Sequence, residues 1–164
     1  MKSGKIIIFF CIILFATQGF ANNLIKNSGF EVGLEGYGFM KGVYLDADKK
    51  NVSYITPVLD TKEKYQGLVS LKIDNPNCDA VKMFIKEVAL ESGKKYTFSF
   101  WAKASASSMN MYAELRGNGN KEPHNGKSGS FILTTEWQRY SFSHTIPQGY
   151  KYYYLEFYLT SGQD

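Results

Sequence analysis

The sequence is short of cysteine and of net charge, and each shortage narrows what the chain can be. Of its two cysteines, Cys11 lies in an apolar N-terminal run that reads as a removable leader. Cys78 is then alone, so no internal disulfide can form, and its thiol is expected to be buried or half-buried. The chain has 19 basic and 15 acidic residues, and losing Lys2 and Lys5 with the leader leaves 17 against 15. That balance argues against an electrostatic nucleic-acid binder, which needs a clustered basic face. Catalytic motifs are missing as well. There is no Gly-x-Ser-x-Gly and no His-Glu-x-x-His, and Gly126-Lys127-Ser128 lacks the earlier glycine of a phosphate loop, since Lys121 stands there. Asp46-Ala47-Asp48 sits in a Lys-rich stretch with nothing to raise a carboxyl pKa, so it reads as a solvated turn. A glycosidase is not excluded on this ground, because paired carboxylates carry no local signature.

What is present begins with the leader. Lys2 and Lys5 precede an apolar run from Ile6 to Ala16, and Gly19-Phe20-Ala21 places small residues where a signal peptidase cuts. This pattern predicts a signal peptide over residues 1–21, cleaved after Ala21. The protein is then secreted, extracellular or periplasmic, with no membrane attachment after cleavage. The remainder, residues 22–164, is the length of one domain.

Beyond the leader the apolar period is two nearly everywhere, with Gly, Asn, Asp and Ser clusters between the runs. Strands are expected near residues 52–58, 67–74, 80–90, 95–104, 108–116, 130–134, 138–146 and 150–160, with a short one near 23–27. Asn75-Pro76-Asn77, Glu91-Ser92-Gly93 and Pro147-Gln148-Gly149 read as turns. About eight short strands with no helix between them predict an all-β antiparallel sandwich or jelly roll.

Residues two apart on a strand share a face. Met109, Met111, Ala113 and Leu115 therefore oppose Tyr112, Glu114 and Arg116. Tyr153, Leu155, Phe157 and Leu159 oppose Tyr152, Tyr154, Glu156 and Tyr158, and Phe98, Phe100 and Ala102 oppose Trp101. Each strand thus offers one core face and one face of aromatics with hydrogen-bonding groups. All 12 tyrosines lie after the leader, whereas Phe9, Phe10, Phe15 and Phe20 leave with it. Tyrosine suits half-wet surfaces, because its ring packs while its hydroxyl stays hydrated.

Such a face fits a sugar. A pyranose ring has apolar C–H patches on its faces and hydroxyls around its edge, and is held by flat aromatic rings plus bidentate carboxylate, guanidinium or amide groups. Tyr112, Glu114 and Arg116 supply all three on one strand, and Trp101, Tyr152, Tyr154 and Glu156 are candidates to extend the set. The bland alternative is a solvated sheet face on which Glu114 and Arg116 form a cross-strand pair. Trp137, after a turn, is expected to anchor a hairpin to the core. His144 is expected half-buried at a strand end, and His124 at the surface of a long Gly- and Asn-rich loop, residues 117–130.

Four segments resemble the CenC-like carbohydrate-binding modules of families four, nine and twenty-two, a galactose-binding-like jelly-roll group. They are Asn23-Leu24-Ile25-Lys26-Asn27-Ser28-Gly29-Phe30-Glu31, then Tyr65-Gln66-Gly67-Leu68-Val69-Ser70-Leu71-Lys72-Ile73. The third, Ser92-Gly93-Lys94-Lys95-Tyr96-Thr97-Phe98-Ser99-Phe100-Trp101-Ala102-Lys103-Ala104, is the nearest match, and Leu133-Thr134-Thr135-Glu136-Trp137-Gln138-Arg139-Tyr140 is the fourth. They come in the family's order and span the chain after the leader. The resemblance implies a noncatalytic, monomeric module that binds a polysaccharide or oligosaccharide of the β-glucan or xylan type and is joined to a glycoside hydrolase. The rival expectations are the N-terminal part of a glycosidase and an adhesive or structural sandwich. The resemblance also implies a structural calcium held by Glu31, with backbone carbonyls near Gly29 and Gln66. The family ends on a further strand bearing an Asp that completes the sandwich and the metal site. Ser161-Gly162-Gln163-Asp164 reads as a turn, so that strand is expected to be missing from this chain, an N-terminal fragment.

Overall fold

A computed structural model describes residues 4–9, 24–41, 57–75, 81–107, 109–118, 124–125, 129–150 and 152–160. Cys11, Asp46, Asp48, Cys78, the cleavage region at 19–21 and Gly126–Ser128 lie outside them. The described strands are β1 (Gly4–Phe9), β2 (Tyr37–Lys41), β3 (Val58–Asp60), β4 (Ser70–Asn75), β5 (Val81–Val88), β6 (Lys95–Ala104), β7 (Met109–Asn118), β8 (His124–Asn125), β9 (Gly129–Leu133), β10 (Gln138–Thr145) and β11 (Tyr152–Thr160). No helix occurs among the described residues. Every pairing is antiparallel. A five-stranded sheet runs in the order β10-β6-β1-β4-β3. A six-stranded sheet runs β2-β5-β11-β7-β8, with β9 also on β7.

The strands follow the expected alternation, and the core is what the two inner faces share. Met111, Ala113 and Leu115 of β7, Leu155, Phe157 and Leu159 of β11, and Phe98, Phe100 and Ala102 of β6 are all buried. Phe100 is the hinge of this packing. Its ring meets Phe157 edge-on across the two layers at 5.2 Å and Phe131 of β9 at 5.3 Å. Such edge-to-face contacts suit the ring quadrupole, and burying each ring contributes about 1.5–3 kcal/mol. The layers are thus locked at the strands that also carry the outward-facing groups described below.

The N-terminal expectation needs correction. Residues 25–29 form turns rather than a strand. Asn27 and Phe30 both adopt left-handed backbone, with φ of 54° and 60°, a conformation that a side-chain-bearing residue resists. Burial holds them there. Phe30 is fully buried, with its ring centroid 4.8 Å from that of Tyr37. The Tyr37 hydroxyl donates to the Asn27 carbonyl at 3.0 Å, and the Asn27 side chain bonds the backbone of Val32 and Gly33. The Asn-Ser-Gly-Phe-Glu segment is therefore a turn pinned to the core through Phe30. Three further strands, β1, β2 and β8, are not predicted by the pattern, β8 lying inside the loop expected over residues 117–130. β3 meets the strand expected near residues 52–58 only at Val58, with residues 52–56 outside the described ones. β2 contains Gly38, where a side chain would collide with the Phe84 ring. β1 lies inside the expected leader.

Candidate carbohydrate-binding face

The outer face of the six-stranded sheet collects most of the predicted groups. Register sets them in rows across β7 and β11, with Tyr112 opposite Tyr158, Glu114 opposite Glu156, and Arg116 opposite Tyr154. On the far side of β11, Phe84 of β5 stands opposite Glu156 and Gly38 of β2 opposite Phe84. Because Gly38 has no side chain, the Phe84 ring lies over β2 and extends the aromatic surface beyond β5. Tyr112 is exposed, while Glu114, Arg116, Tyr154 and Tyr158 are half-buried.

Two carboxylates facing each other across a strand pair repel, and the neighbouring groups explain why this pair is tolerated. Glu156 is only 4% exposed. An Oε atom of Glu156 accepts the Tyr158 hydroxyl at 2.5 Å and lies 3.6 Å from an Arg116 guanidinium nitrogen. Burial, reinforced by the bond to Glu156, pushes the Tyr158 phenol far above its ordinary value, so it stays a neutral donor. The outcome is a fixed polar centre, Arg116–Glu156–Tyr158, beside the open Tyr112 ring. Preset acceptors and donors next to a flat apolar ring are what a sugar's edge and face require, at little ordering cost on binding.

Trp101 does not join this face. It lies on β6, in the other sheet, and points away from the core there. Tyr65 stacks on it, with centroids 3.8 Å apart and planes at 17°. Trp137 is also there, 6.1 Å from Tyr65 and 5.9 Å beneath the Lys103 ammonium. It therefore secures the 61–69 loop to the outside of the five-stranded sheet, and does not anchor a hairpin to the core. Lys103 in turn pairs with Glu63 at 2.8 Å. The backbone of Tyr152 belongs to β11, but its side chain lies outside the described ones. His144 is half-buried near the end of β10, as expected, and the side chain of His124 lies outside the described ones.

Phe84, Gly38 and Tyr158 complete the face although the sequence reading named none of them as site residues. A signal for Phe84 and Tyr158 existed. Phe84 alternates with the buried Met83 and Ile85, and Tyr158 shares the parity of Glu156.

Glu31, on which the calcium expectation rests, is among the described residues. The Glu31 carboxylate lies beside Gly29 and accepts the Leu68 amide at 2.9 Å, so the N-terminal turn and the 61–69 loop meet at this one side chain. Among the described residues no group of three or more His, Cys, Asp or Glu could hold a metal. Calcium takes six to eight oxygens. Glu31 offers one carboxylate toward such a shell, and one of its oxygens already accepts the Leu68 amide.

A two-layer antiparallel sandwich with an aromatic and carboxylate-lined outer face defines a β-sandwich ligand-binding module. The profile of the CBM_4_9 carbohydrate binding domain family matches residues 22–163, and the chain belongs to that family. No curated protein matches it. Among solved structures it is similar in fold to a family 16 carbohydrate binding module. The identity is 16% and the TM-score 0.60, over 85% of this chain and 91% of that one. It is also similar to the enzymatically active domain of tailspike protein 4 from bacteriophage CBA120, at 14% identity and a TM-score of 0.63. That match covers 85% of this chain, which spans only 19% of the tailspike chain.

Proposed function

We propose that the protein, freed of residues 1–21, is a secreted, noncatalytic module. It binds a β-glucan or xylan type of polysaccharide on the outer face of its six-stranded sheet and serves as the targeting part of a glycoside hydrolase. The observation that carries this reading is the row of Tyr112 and Tyr158 set directly beside Glu114, Glu156 and Arg116. A chain laid along the face stacks a ring on Tyr112 and turns its hydroxyls toward Glu114 and the Arg116 guanidinium, which the buried Glu156 holds in place. Phe84 and Tyr154 prolong the surface for neighbouring sugar units. Glu156 is held by Arg116 and Tyr158, which suits a fixed acceptor better than a carboxyl that must trade a proton in each cycle. The family match beginning at Asn22, just past the expected cleavage site, supports the domain boundary. A structural calcium at Glu31, tying the N-terminal turn to the 61–69 loop, belongs to the same proposal. Incubation with soluble xylan and β-glucan separates the readings. Retardation of the protein in polysaccharide gels without release of new reducing ends is expected, and release of reducing ends would establish a hydrolase instead.

A further inference from the structure

The five-stranded sheet has an outer face of its own, on the opposite side of the sandwich from Tyr112 and Glu114. At one edge of it β6 and β10 lie side by side. Their register sets Arg139 opposite Trp101, Ser141 opposite Ser99, and Ser143 opposite Thr97. Phe98, Phe100, Tyr140 and Phe142, which alternate with these residues, pack into the core. The two strands therefore turn an aromatic ring, a guanidinium and two rows of hydroxyls outward. Thr97 and Ser143 are already joined through their hydroxyls at 2.8 Å.

Two features single out the Trp101 end of this strip. The first is charge. Lys103 is paired with Glu63 at 2.8 Å, and Lys72 with Asp60 at 3.7 Å. Arg139 is different. It is exposed, and among the described residues no carboxylate lies within ion-pair distance of it. One guanidinium nitrogen donates to the Ser99 hydroxyl at 3.0 Å, and Ser99 is itself buried. That bond steadies the head group on the sheet and leaves most of its five N–H donors unused. The second feature is the ring beside it. Tyr65 stacks on Trp101 through one face, yet remains 41% exposed. The face turned away from Trp101 is the one that meets solvent. It is a platform backed by a second ring, with an uncompensated cation on the neighbouring strand.

We propose that Tyr65 and Arg139 form a second saccharide site, one that takes a uronic acid residue of an acidic polysaccharide. The C–H face of the sugar stacks on Tyr65. Its carboxylate accepts two parallel N–H bonds from the planar Arg139 fork, a geometry that a carboxylate matches and a hydroxyl does not. The hydroxyls of Ser141, Ser143 and Thr97 continue the strip for the hydroxyls of the next unit. A neutral sugar has no group for Arg139, so the two outer faces select by charge. The site stands apart from the reading given to the six-stranded sheet, and a module built this way holds an acidic and a neutral chain at once.

Affinity electrophoresis of the protein through gels containing polygalacturonate tests this, with dextran sulfate and β-glucan gels run beside it. Polygalacturonate is expected to retard the protein, and Arg139→Gln and Tyr65→Ala should each weaken that binding about tenfold or more. Arg139→Lys keeps the charge without the fork and should not restore it. Arg139 is exposed, so R139Q should melt with the parent and be retarded by β-glucan as the parent is. Tyr112→Ala should bind polygalacturonate like the parent, which keeps the two faces distinguishable. No retardation by polygalacturonate, or an R139Q protein retarded as strongly as the parent, would overturn the inference. Equal retardation by dextran sulfate would show a general attraction to polyanions and would also overturn it. Loss of polygalacturonate binding in Y112A would do so too, by placing the acidic chain on the six-stranded sheet.

Discussion

Glu114 and Glu156 stand directly opposite each other on β7 and β11, and Glu156 is held by Arg116 and Tyr158 in a place almost closed to water. The arrangement makes Arg116 the nearby cation that offsets the repulsion between the two carboxyl groups in this row. Arg116→Met should destabilise the fold by about 1–3 kcal/mol, below the 3–5 kcal/mol typical of a fully buried pair because the guanidinium is partly solvated. The double variant R116M/E156Q should recover much of that loss. Urea denaturation of the three proteins measures both effects, and an R116M protein as stable as the parent would contradict the role given to this pair.

Trp101 belongs to the opposite sheet, stacked under Tyr65. Trp101→Ala should therefore leave β-glucan affinity within about twofold while lowering stability by about 1–2 kcal/mol, since the ring is half-buried and stacked on Tyr65. Gel retardation and thermal melting of the same preparation check the two halves. A tenfold loss of affinity in a folded W101A protein would move the binding surface to the five-stranded sheet.

Among the described residues, Tyr37, Tyr153 and Tyr158 bind their phenolic protons more tightly in the folded chain than out of it. Burial raises Tyr37 and Tyr153, and burial with the bond to Glu156 raises Tyr158. Since the folded values lie above the unfolded value of about 10, the stabilisation is complete below that pH. It is lost as pH rises from there toward the folded values. The unfolding free energy should hold up to about pH 10 on this account and fall steeply above it, with Tyr158→Phe reducing the slope. A flat profile through that range would count against the buried, neutral Tyr158.

Calcium binding at Glu31 predicts a higher melting temperature in calcium than in chelator, with Glu31→Gln insensitive to both. Scanning calorimetry of the exported protein decides this, and equal melting in the two conditions would remove the metal from the account.

Much of this architecture could be read from the sequence because antiparallel strands report their faces locally. The opposition of Met111, Ala113 and Leu115 to Tyr112, Glu114 and Arg116, and of Leu155 and Phe157 to Tyr154 and Glu156, holds in the folded chain. What parity cannot report is which sheet a strand enters, a matter of long-range pairing. Trp101 faces outward as its alternation says, yet β6 has β1 and β10 as neighbours and neither β7 nor β11. β2 escaped notice because Tyr37-Gly38-Phe39-Met40-Lys41 carries a glycine and no alternation. That glycine makes sense only against the Phe84 ring that covers it. The strand expected at residues 23–27 fell to tertiary context, since burial of Phe30 beneath Tyr37 favours left-handed turns there.

The most direct test of the central claim is affinity electrophoresis of the protein and three variants through gels containing β-glucan or xylan. Tyr112→Ala removes an exposed ring and should weaken binding about tenfold or more, with the fold intact. Glu114→Ala should do the same by taking a carboxylate from the polar row. Met111→Ala empties a fully buried site on the other side of the same strand and should instead cost about 2–5 kcal/mol of stability. The account predicts retardation of the parent, lost in Y112A and E114A at unchanged melting temperature. Folded Y112A and E114A proteins retarded as strongly as the parent would contradict it.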